Sequence, residues 1–373
     1  MKVELRHWKD GWSEPLPTGE ASVVLCFGTT GLLDDAQPLT DLHNAYPDAV
    51  HAGCSSAGEI LGEDIHDDSL TAAIIHFDSI VARGASASIS DPSQSQSVGQ
   101  QLAKELLAQR DDLAHVFLLS DGLGVNGSEL ARGVQDPLAA DVVVTGGLAG
   151  DGSRFERTWV FDGESARSGV VRAVGLYGSA LSVGHGSHGG WNPFGVQRKV
   201  TRSEGNVLFE LDGQPALQLY KEYLGARAAE LPASGLLFPL SLQHGDRKDI
   251  VRTILAVDEE AQSMTFAGDI PQGCTVRLMR ADYESLVDAA GKAAASSDTG
   301  SPVLALAVSC VGRRLVLGER TEEEVEEILD RLPPGSSLTG FYSYGELSPS
   351  GDGSACDLHN QTMTLTTWRE SSI

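Results

Sequence analysis

A stretch rich in histidine, glycine and aromatic residues holds the first side chains of this sequence that could do chemistry. It runs from His185 to Gly195 and contains His188, Trp191 and Phe194. Neutral imidazole is the commonest protein ligand of metal ions, and it also binds haem iron. Glycine beside it lets a flat macrocycle approach the backbone, while the two aromatic rings add apolar contact area. The pattern predicts a ligand-binding loop at the end of a strand, unless His188 only bonds to backbone groups.

The C-terminal tail offers a second candidate histidine. His359 and Asn360 stand where a loop enters a terminal strand, because apolar and polar side chains alternate from Met363 onward. A hydrogen bond to buried backbone groups is the better assignment for Asn360. The sequence contains no Cys-x-x-Cys-His segment, so any haem would be bound without covalent attachment.

Cys54 is the cysteine whose position could expose a nucleophile. It ends a predicted strand in a turn of small residues, Gly53 to Glu59. No partner base stands at a recognisable position, and a small buried thiol fits the same turn. The sequence also lacks the phosphate-loop, zinc-protease and nucleophile-elbow motifs. A cysteine hydrolase is therefore the least favoured function, and we expect no enzyme activity.

A strand, a helix and a second strand lead to a glycine-rich turn at three places in the sequence. These turns are Gly53–Glu59, Gly147–Asp151 and Gly340–Glu346. The first and third share the spacing Gly-x4-Gly-Glu. This pattern indicates internal duplication, with an N-terminal and a C-terminal half built alike. The alternative is that strand ends attract glycine for backbone reasons alone.

Hydrophobic periodicity places the other elements that matter for a site. Residues 71–77 and 80–89 predict two antiparallel strands joined by a turn at Asp78-Ser79. The acidic segment 321–332 predicts a helix whose charges are solvated. A further helix is predicted with one buried face, formed by Ala216, Leu219, Tyr220, Tyr223 and Leu224. The fold class expected is α/β, of a mixed α+β kind, with two similar halves whose mixed β-sheets are covered by helices.

The composition excludes several classes of partner. The formal net charge is −25 at pH 7, which argues against nucleic acid and anionic membrane surfaces. The five cysteines are scattered, as in proteins of a reducing compartment. No apolar run approaches the roughly 18 residues that a membrane-spanning helix needs. We therefore expect a cytoplasmic protein.

The glycine turns and the two histidine segments together resemble the FIST family, whose members pair a FIST N and a FIST C domain. The resemblance runs from about Ser22 to Thr367 and predicts a FIST N domain over residues 20–210 and a FIST C domain over residues 211–368. It rests on Gly53–Glu59, Gly146–Gly152, His188–Trp191 with Val200-Thr201, Gly340–Pro349 and His359–Thr362.

The resemblance implies a cytoplasmic sensor that binds a small-molecule ligand. Some FIST proteins that stand alone look like haem-binding nitric-oxide sensors, which regulate a histidine kinase or a cyclic-di-GMP enzyme. On this basis haem b is the expected cofactor, with His188 as the ligand of its iron and His185 and His359 as the next choices. Trp191 and Phe194 would contact the macrocycle. The sequence shows no kinase or cyclase segment, so we expect a separate partner protein, and a homodimer is compatible with this role.

An amino-acid or other small-molecule sensor without haem is the alternative. The carboxylate of such a ligand would bind to backbone amides of the glycine turns, with Arg154, Arg157 or Arg313 as counter-charge. The pocket is expected between the two halves of the chain. Its predicted lining is Gly53, Cys54, Ser55, Gly58, Glu59, Gly147, Asp151, Tyr344, Gly345, Glu346 and Asn360.

Overall fold

The structure, a computed structural model, describes residues 1–243, 250–297, 300–349 and 355–371. Its fold is mixed α/β, as the sequence predicts. The strands of the described residues are β1 Lys2–Trp8, β2 Val23–Gly28, β3 Val50–Ser55, β4 Glu59–Leu61, β5 Asp64–His66, β6 Leu70–His76, β7 Val81–Ser88, β8 Leu113–Ser120, β9 Val143–Leu148, β10 Val160–Phe161, β11 Ala166–Arg167, β12 Val170–Tyr177, β13 Leu181–His188, β14 Asn192–Glu204, β15 Val207–Leu211, β16 Gln214–Pro215, β17 Leu240–Gln243, β18 Ile250–Arg252, β19 Ile254–Asp258, β20 Ser263–Phe266, β21 Thr275–Arg280, β22 Leu304–Cys310, β23 Ser337–Ser343, β24 Gly345–Pro349, β25 Cys356–His359 and β26 Met363–Glu370.

The helices begin where side chains or proline favour a helix start. Asn126 and Asp282 each accept backbone N–H groups of the first turn that follows, and Pro38 lies in the first turn of its helix. Among the described residues, none of the helices combines the length and the hydrophobicity that a membrane span requires. The helices are α1 Gln37–Ala45, α2 Ser95–Gln109, α3 Gly127–Gln135, α4 Ala216–Leu224, α5 Tyr283–Ser296, α6 Val311–Leu317 and α7 Glu322–Arg331.

Three six-stranded sheets form the body of the protein, and a fourth, eight-stranded sheet is attached to it. Sheet A has the order β1-β6-β2-β3-β10-β11, sheet B has β13-β26-β22-β23-β4-β5, and sheet C has β25-β24-β9-β8-β12-β7. Sheet D has the order β18-β17-β21-β14-β15-β20-β19, with β16 beside β15. We call sheets A, B and C with their helices the body.

Each sheet of the body contains the same three-strand unit. Two parallel strands are neighbours, and an antiparallel strand pairs with the first of them. The three units are β2-β3-β6, β8-β9-β12 and β22-β23-β26. They are the strand–helix–strand segments that precede the glycine turns, so the duplication is threefold rather than a match of two halves. The middle copy is hard to recognise because Asp151-Gly152 stands where the other turns have Gly-Glu.

The three units exchange hairpins in a closed cycle. The hairpin β4-β5 belongs to the first unit in sequence, but it pairs with β23 of the third unit. The hairpin β24-β25 of the third unit pairs with β9 of the second, and β10-β11 of the second pairs with β3 of the first. Each sheet of the body is therefore completed by a hairpin from another unit.

The predicted pairing of segments 71–77 and 80–89 is wrong. Both segments are strands, but β6 lies in sheet A and β7 lies in sheet C. The turn between them is held by Glu370, whose carboxylate accepts the backbone N–H groups of Asp78 at 2.8 Å and Ile80 at 3.0 Å. With its amides bonded in this way, the chain crosses from one sheet to the next instead of folding back on itself.

The inner faces of the three sheets enclose one apolar core. Side chains from each sheet meet there, among them Phe27, Ile75, Phe117, Val308 and Trp368. The outer faces are covered by helices, with α1 on sheet A, α2 and α3 on sheet C, and α5 and α7 on sheet B. Because both faces are buried, the central strands β2 and β22 are apolar along almost their whole length.

Sheet D occupies the chain between β13 and α5 and has its own core. Leu208, Leu217, Tyr220, Phe266 and Val276 pack together there, and α4 covers one face of the sheet. The predicted buried face of this helix is confirmed except at Tyr223, which is 42% exposed. That exposed ring becomes part of a pocket described below.

A buried arginine joins sheet D to the body. Arg252, at the end of β18, donates to the carbonyl oxygen of Leu358 at 2.9 Å and to the hydroxyl of Ser128 at 3.1 Å. It also donates to the carbonyl oxygen of Asp269 at 3.2 Å. The guanidinium thus connects β25 and the start of α3 to sheet D.

Candidate functional site

The three glycine turns meet at one place in the body, which we call the junction. The backbone N–H of Ala57 donates to Tyr342 at 2.8 Å, and the backbone N–H of Tyr344 donates to Leu148 at 3.2 Å. The N–H of Gly150 closes the ring by donating to Ser55 at 3.0 Å. The donors occupy equivalent positions in the three turns, and so do the acceptors. The predicted pocket residues are therefore brought together, with the turns bonded to one another.

Two buried carboxyl groups occupy matching positions at the junction. Glu59 accepts hydrogen bonds from the hydroxyls of Ser56 at 2.5 Å and Ser69 at 2.7 Å. Glu346 accepts equivalent bonds from Ser343 at 2.7 Å and Thr362 at 2.9 Å. Burial raises the pKa of Glu59 to about 7 and the pKa of Glu346 to about 8. The hydroxyls limit this rise because they stabilise the charged form.

In the second turn the buried carboxylate is Asp151, one position before the place of these glutamates. Its carboxylate accepts backbone N–H groups of Phe155 at 2.9 Å, Glu156 at 2.8 Å and Arg157 at 3.0 Å. The hydroxyl of Tyr344 also donates to it. The predicted pocket residues Glu59, Asp151, Tyr344 and Glu346 therefore all have hydrogen-bond partners in the protein.

The glycines of the junction allow the protein to pack against itself. A side chain at Gly147 would press on Val308 and Phe341, and a side chain at Gly345 would press on Leu358. Asn360 donates to the carbonyl oxygen of Tyr344 at 3.1 Å and accepts from the backbone N–H of Thr253 at 3.3 Å, as its backbone-bonding assignment predicts. The turn amides that were expected to bind a ligand carboxylate already donate to protein oxygens.

Cys54 is fully buried, and burial raises its pKa well above the usual range of a thiol. The exposed nucleophile considered for this turn is therefore wrong, because β3 is covered on both faces. The buried-thiol interpretation describes the residue better.

The three arginines considered as counter-charges have protein partners. Arg313 is fully buried and pairs with Glu324 at 2.7 Å, although the charges of the acidic helix α7 were expected to be solvated. Arg157 pairs with Asp34 at 2.5 Å on the surface. Arg154 bonds to the hydroxyl of Thr30 at 3.4 Å. Arg313 is therefore a structural residue of the body.

The predicted histidine loop is partly a strand, and this separates its members. β13 continues to His188, so His185 and His188 point to opposite faces of sheet B. His185 follows Leu181 and Val183, which pack into the central core, whereas His188 lies against Ser296 of α5, with its Nε2 3.4 Å from that hydroxyl.

The aromatic residues of the predicted haem site belong to two further clusters. Trp191 packs with Met279 and Leu286, whereas Phe194 packs in the core of sheet D. A side chain at Gly186 would overlap the backbone of α5, so this glycine serves helix packing rather than the approach of a macrocycle. The predicted haem contacts do not face one common space in this arrangement.

His359 lies elsewhere, at the end of β25 and opposite Glu346 in the neighbouring strand. Its Nε2 is 3.0 Å from the carbonyl oxygen of Ser348. Burial lowers its pKa, so the ring is neutral near pH 7.

Sheet D carries an open pocket, and this pocket was not predicted from the sequence. It has an empty volume of about 300 Å³ between α4 and the strands β14, β15, β17 and β21. Apolar and aromatic side chains form most of it, with two arginines. The lining residues are Val196, Arg198, Leu211, Tyr220, Tyr223, Leu240, Val276, Arg277 and Leu278.

A bulge in β14 shapes the edge of this pocket. Phe194 pairs with Leu278 and Arg198 pairs with Val276, so three residues of β14 stand opposite Arg277 alone. Gly195 makes this possible with a φ of 75°, and Val196 at the bulge is 66% exposed. A glycine within a strand pattern is the sequence signal that could have indicated this bulge.

The two arginines of the pocket differ in their pairing. Arg198 bonds to Asp212 at 3.1 Å and to the hydroxyl of Tyr223 at 3.0 Å. Arg277 has no ion-pair partner among the residues described. An unpaired guanidinium beside apolar and aromatic side chains can bind a small molecule that has an apolar part and an anionic group.

A threefold repeat of mixed sheets, with an attached sheet that carries an open pocket, defines the architecture of this α/β protein. The FIST N domain model matches residues 22–214, and the FIST C domain model matches residues 216–349. The chain belongs to the FIST family. FIST domains are sensors of small ligands in signal transduction. Sheet D contains strands from both matched regions, since β14 and β15 precede residue 216 and β17 to β21 follow it.

Curated relatives are themselves uncharacterised. An uncharacterised protein of Methanocaldococcus jannaschii is 27% identical over 307 residues, which are 74% of this chain and 57% of the relative. An uncharacterised protein of Mycobacterium tuberculosis is 30% identical over 234 residues, which are 60% of each chain. The chain thus spans less than two thirds of the length of these relatives.

Proposed function

We propose that this chain is a small-ligand sensor of a signal-transduction system and that its ligand binds in the sheet D pocket. One observation carries the proposal: an open surface pocket is lined by apolar and aromatic residues together with Arg277, which has no ion-pair partner in the described ranges. Ligand sites are usually concave, mostly apolar and provided with few polar groups. The junction lacks these properties because its polar groups bond to each other.

The pocket favours a small organic anion. Val196 and Tyr223, which are exposed, offer apolar area, while Arg277 offers a charge that a carboxylate or sulfonate can pair with. Tyr220, a buried residue of the lining, is held in place because its hydroxyl donates to the carbonyl oxygen of Phe238 at 2.8 Å. This supports the sensor without haem, with the anion site on sheet D instead of at the glycine turns.

An aromatic sulfonate provides the test. We expect 1-anilinonaphthalene-8-sulfonate to bind with increased fluorescence, because it has an apolar body and one anionic group. Val196→Glu places a negative charge at the exposed bulge without disturbing the core, and we expect it to weaken binding at least tenfold. Leu315→Glu is the matched control, since Leu315 is also exposed and lies on α6. Equal binding by both variants would contradict the pocket assignment.

The step in which the sensor passes its signal to a partner protein is proposed from family membership alone. We propose that the occupied sensor acts on a histidine kinase or a cyclic-di-GMP enzyme in the cytoplasm. Kinase autophosphorylation or cyclic-di-GMP turnover, measured with and without the chain at saturating ligand, tests this step. A rate that does not change in either assay would count against both partners.

Haem binding stays a prediction, and the dispersed positions of His185, His188 and His359 do not favour it. Absorption spectra of protein expressed with adequate haem test it, with and without nitric oxide. A Soret band that persists unchanged in His188→Ala would remove His188 as the iron ligand. Colourless protein would leave the sensor without haem.

A further inference from the structure

Two histidine rings stack on each other where the edges of sheets A and B meet. His7 lies on β1, the edge strand of sheet A, and His66 lies on β5, the edge strand of sheet B. Their ring centroids are 4.1 Å apart, with an angle of 22° between the ring planes. Both residues are partly buried. Because β5 belongs to the exchanged hairpin β4-β5, the stack connects β1 to a hairpin that completes another sheet.

One ring nitrogen of His7 is enclosed by the protein. Its Nε2 is buried and has no hydrogen-bond partner in the described part of the chain. An imidazole that takes up a proton carries an N–H group on each of its two nitrogens. Protonated His7 would therefore bury a donor without an acceptor, which is a cost that the neutral ring avoids.

The nearest cation and the next carboxylate in the chain are bonded to other groups. Lys9 follows β1, and its ammonium group donates to the carbonyl oxygen of Asp67 at 3.3 Å. The carboxylate of Asp67 pairs with Arg314 of α6 at 2.6 Å. These bonds hold the chain on both sides of the stack, so Lys9 keeps a positive charge close to His7.

The other elements around the stack offer no strong partner for a protonated ring. The charge of Asp64, on β5, attracts a proton to His7, but the described segments contain no ion pair between these two residues. Glu59 stands opposite His66 in β4, and its carboxyl group accepts two side-chain hydroxyls. The uncharged Thr71 of β6 stands opposite His7. Helix α7 packs against Ile65, which points to the other face of β5.

These surroundings make the neutral form of His7 the stable one. Burial lowers the pKa of His7 below its usual value of 6.5, and the charges of His66 and Lys9 lower it further, while Asp64 raises it. The folded chain then binds fewer protons than the unfolded chain below about pH 6.5. The contact at His7 should therefore lose stability as the pH falls below that value.

We propose that the stack of His7 on His66 is an acid-sensitive clasp, which holds β1 against the hairpin β4-β5 and opens when both rings are protonated. Two positive charges would then lie 4.1 Å apart in a partly buried position, where water and salt screen them incompletely. Histidine is the side chain whose charge ordinarily changes within the physiological pH range. Opening of the clasp would expose the backbone edges of β1 and β5, which are available for pairing with another strand.

Hydrogen exchange of backbone amides tests the clasp, measured by mass spectrometry and corrected for the intrinsic pH dependence of exchange. Between about pH 7.5 and about pH 5 we expect the protection of amides in β1 and β5 to fall at least tenfold, the ratio that corresponds to one pKa unit. Strand β7 is the internal control, because it occupies in sheet C the place of β1 in sheet A and contains no histidine. Its protection should not fall with that of β1.

Substitutions identify the rings that respond to pH. His7→Phe keeps an aromatic ring in the stack but cannot take up a proton, so we expect the loss of protection in β1 to shrink below about threefold. His66→Phe serves as well if that variant does not fold. The pKa of His7, measured by NMR titration, should rise in His66→Phe because the charge of His66 is gone. His76→Phe is the matched control, since His76 is an exposed histidine of the neighbouring strand β6.

Several results would overturn the clasp. The protection of β1 could stay constant as the pH falls, or β1 and β7 could lose protection equally. His7→Phe and His76→Phe could give the same exchange profile, or the pKa of His7 could be the same in His66→Phe as in the unchanged chain. The experiments use the chain without a ligand, so none of these outcomes depends on the sheet D pocket.

Discussion

The junction of the glycine turns and the pocket of sheet D contain similar kinds of residue but arrange them differently. At the junction, equivalent positions of three units face one another, so each backbone donor and each carboxyl finds a partner. Sheet D occurs once, and beside its bulge lies an open pocket that Arg277 and several apolar residues line. Polar residues that repeat with the fold therefore stabilise it, whereas binding groups stay free where the repeat is absent.

Substitution of a junction glycine should give the largest effect. A methyl group at Gly146 would overlap the backbone of Leu118 in the neighbouring strand, and φ there is 148°. We expect Gly146→Ala to lower the free energy of unfolding by roughly 4 kcal/mol, because a packed backbone cannot move aside. Urea denaturation measures this. A loss below about 1 kcal/mol would show that the junction is not tightly packed.

Removal of Arg252, the buried arginine that joins sheet D to the body, should have the next largest effect. Arg252→Met removes the buried donor of the hydrogen bonds to Leu358, Ser128 and Asp269, and we expect a loss of about 3 kcal/mol in unfolding free energy. Arg202→Met is the control, because Arg202 makes an exposed pair with Glu210 at 2.9 Å. Its effect should stay within about 0.5 kcal/mol. Equal losses in both variants would contradict a role for Arg252 at the contact.

The buried carboxyl groups should make stability depend on pH. The folded-state pKa values of Glu59 and Glu346 lie above their usual value, so the folded chain binds more protons between about pH 4.5 and 8. Stability contributed by these groups should therefore fall as pH rises through this range, by at most about 1.4 kcal/mol per pH unit for each carboxyl.

Glu346→Gln keeps a hydrogen-bonding group without a titrating proton, so its unfolding free energy should change less between pH 5 and 8. Denaturation midpoints across this range provide the measurement. Glu59→Gln serves as the symmetric comparison. An unchanged pH profile in the double variant would count against both groups.

The smallest effect is expected at the pocket. Gly195 also has a positive φ, but no atom lies within 4 Å of the position that an added methyl group would take there. We expect Gly195→Ala to cost about 1 kcal/mol, which is the conformational cost alone. It should also weaken binding of the sulfonate probe by altering the bulge. Thermal denaturation and fluorescence titration of the same sample separate the two effects.

The sequence predicts the local elements well and their partners poorly. Strands such as β2 and helices such as α2 follow from hydrophobic periodicity, which depends on neighbours in the chain. The hairpin exchange depends on pairs that lie far apart in sequence, such as Phe341 with Glu59, and no local pattern reports them.

The candidate site shows the same division. The convergence of the glycine turns was predictable because strand ends at equivalent positions meet. His185 and His188 are separated because β13 continues as far as His188. Side chains alternate between the two faces of a strand, so two residues three positions apart in one strand point to opposite faces of the sheet. Glu324 shows a similar limit, because nothing in an acidic run distinguishes the one residue that pairs with the buried Arg313.

The cyclic exchange of hairpins has a consequence for synthesis of the chain. Sheet B needs β4-β5, near residue 60, and β26, which ends at residue 370. During translation the early hairpin must therefore remain without its neighbour until β23, at residues 337–343, has left the ribosome. Contacts of such long sequence separation slow folding and expose unpaired strand edges in the meantime. Newly made chains of this protein should accordingly be more prone to aggregation, and more dependent on chaperones, than a protein whose sheets close in the order of synthesis.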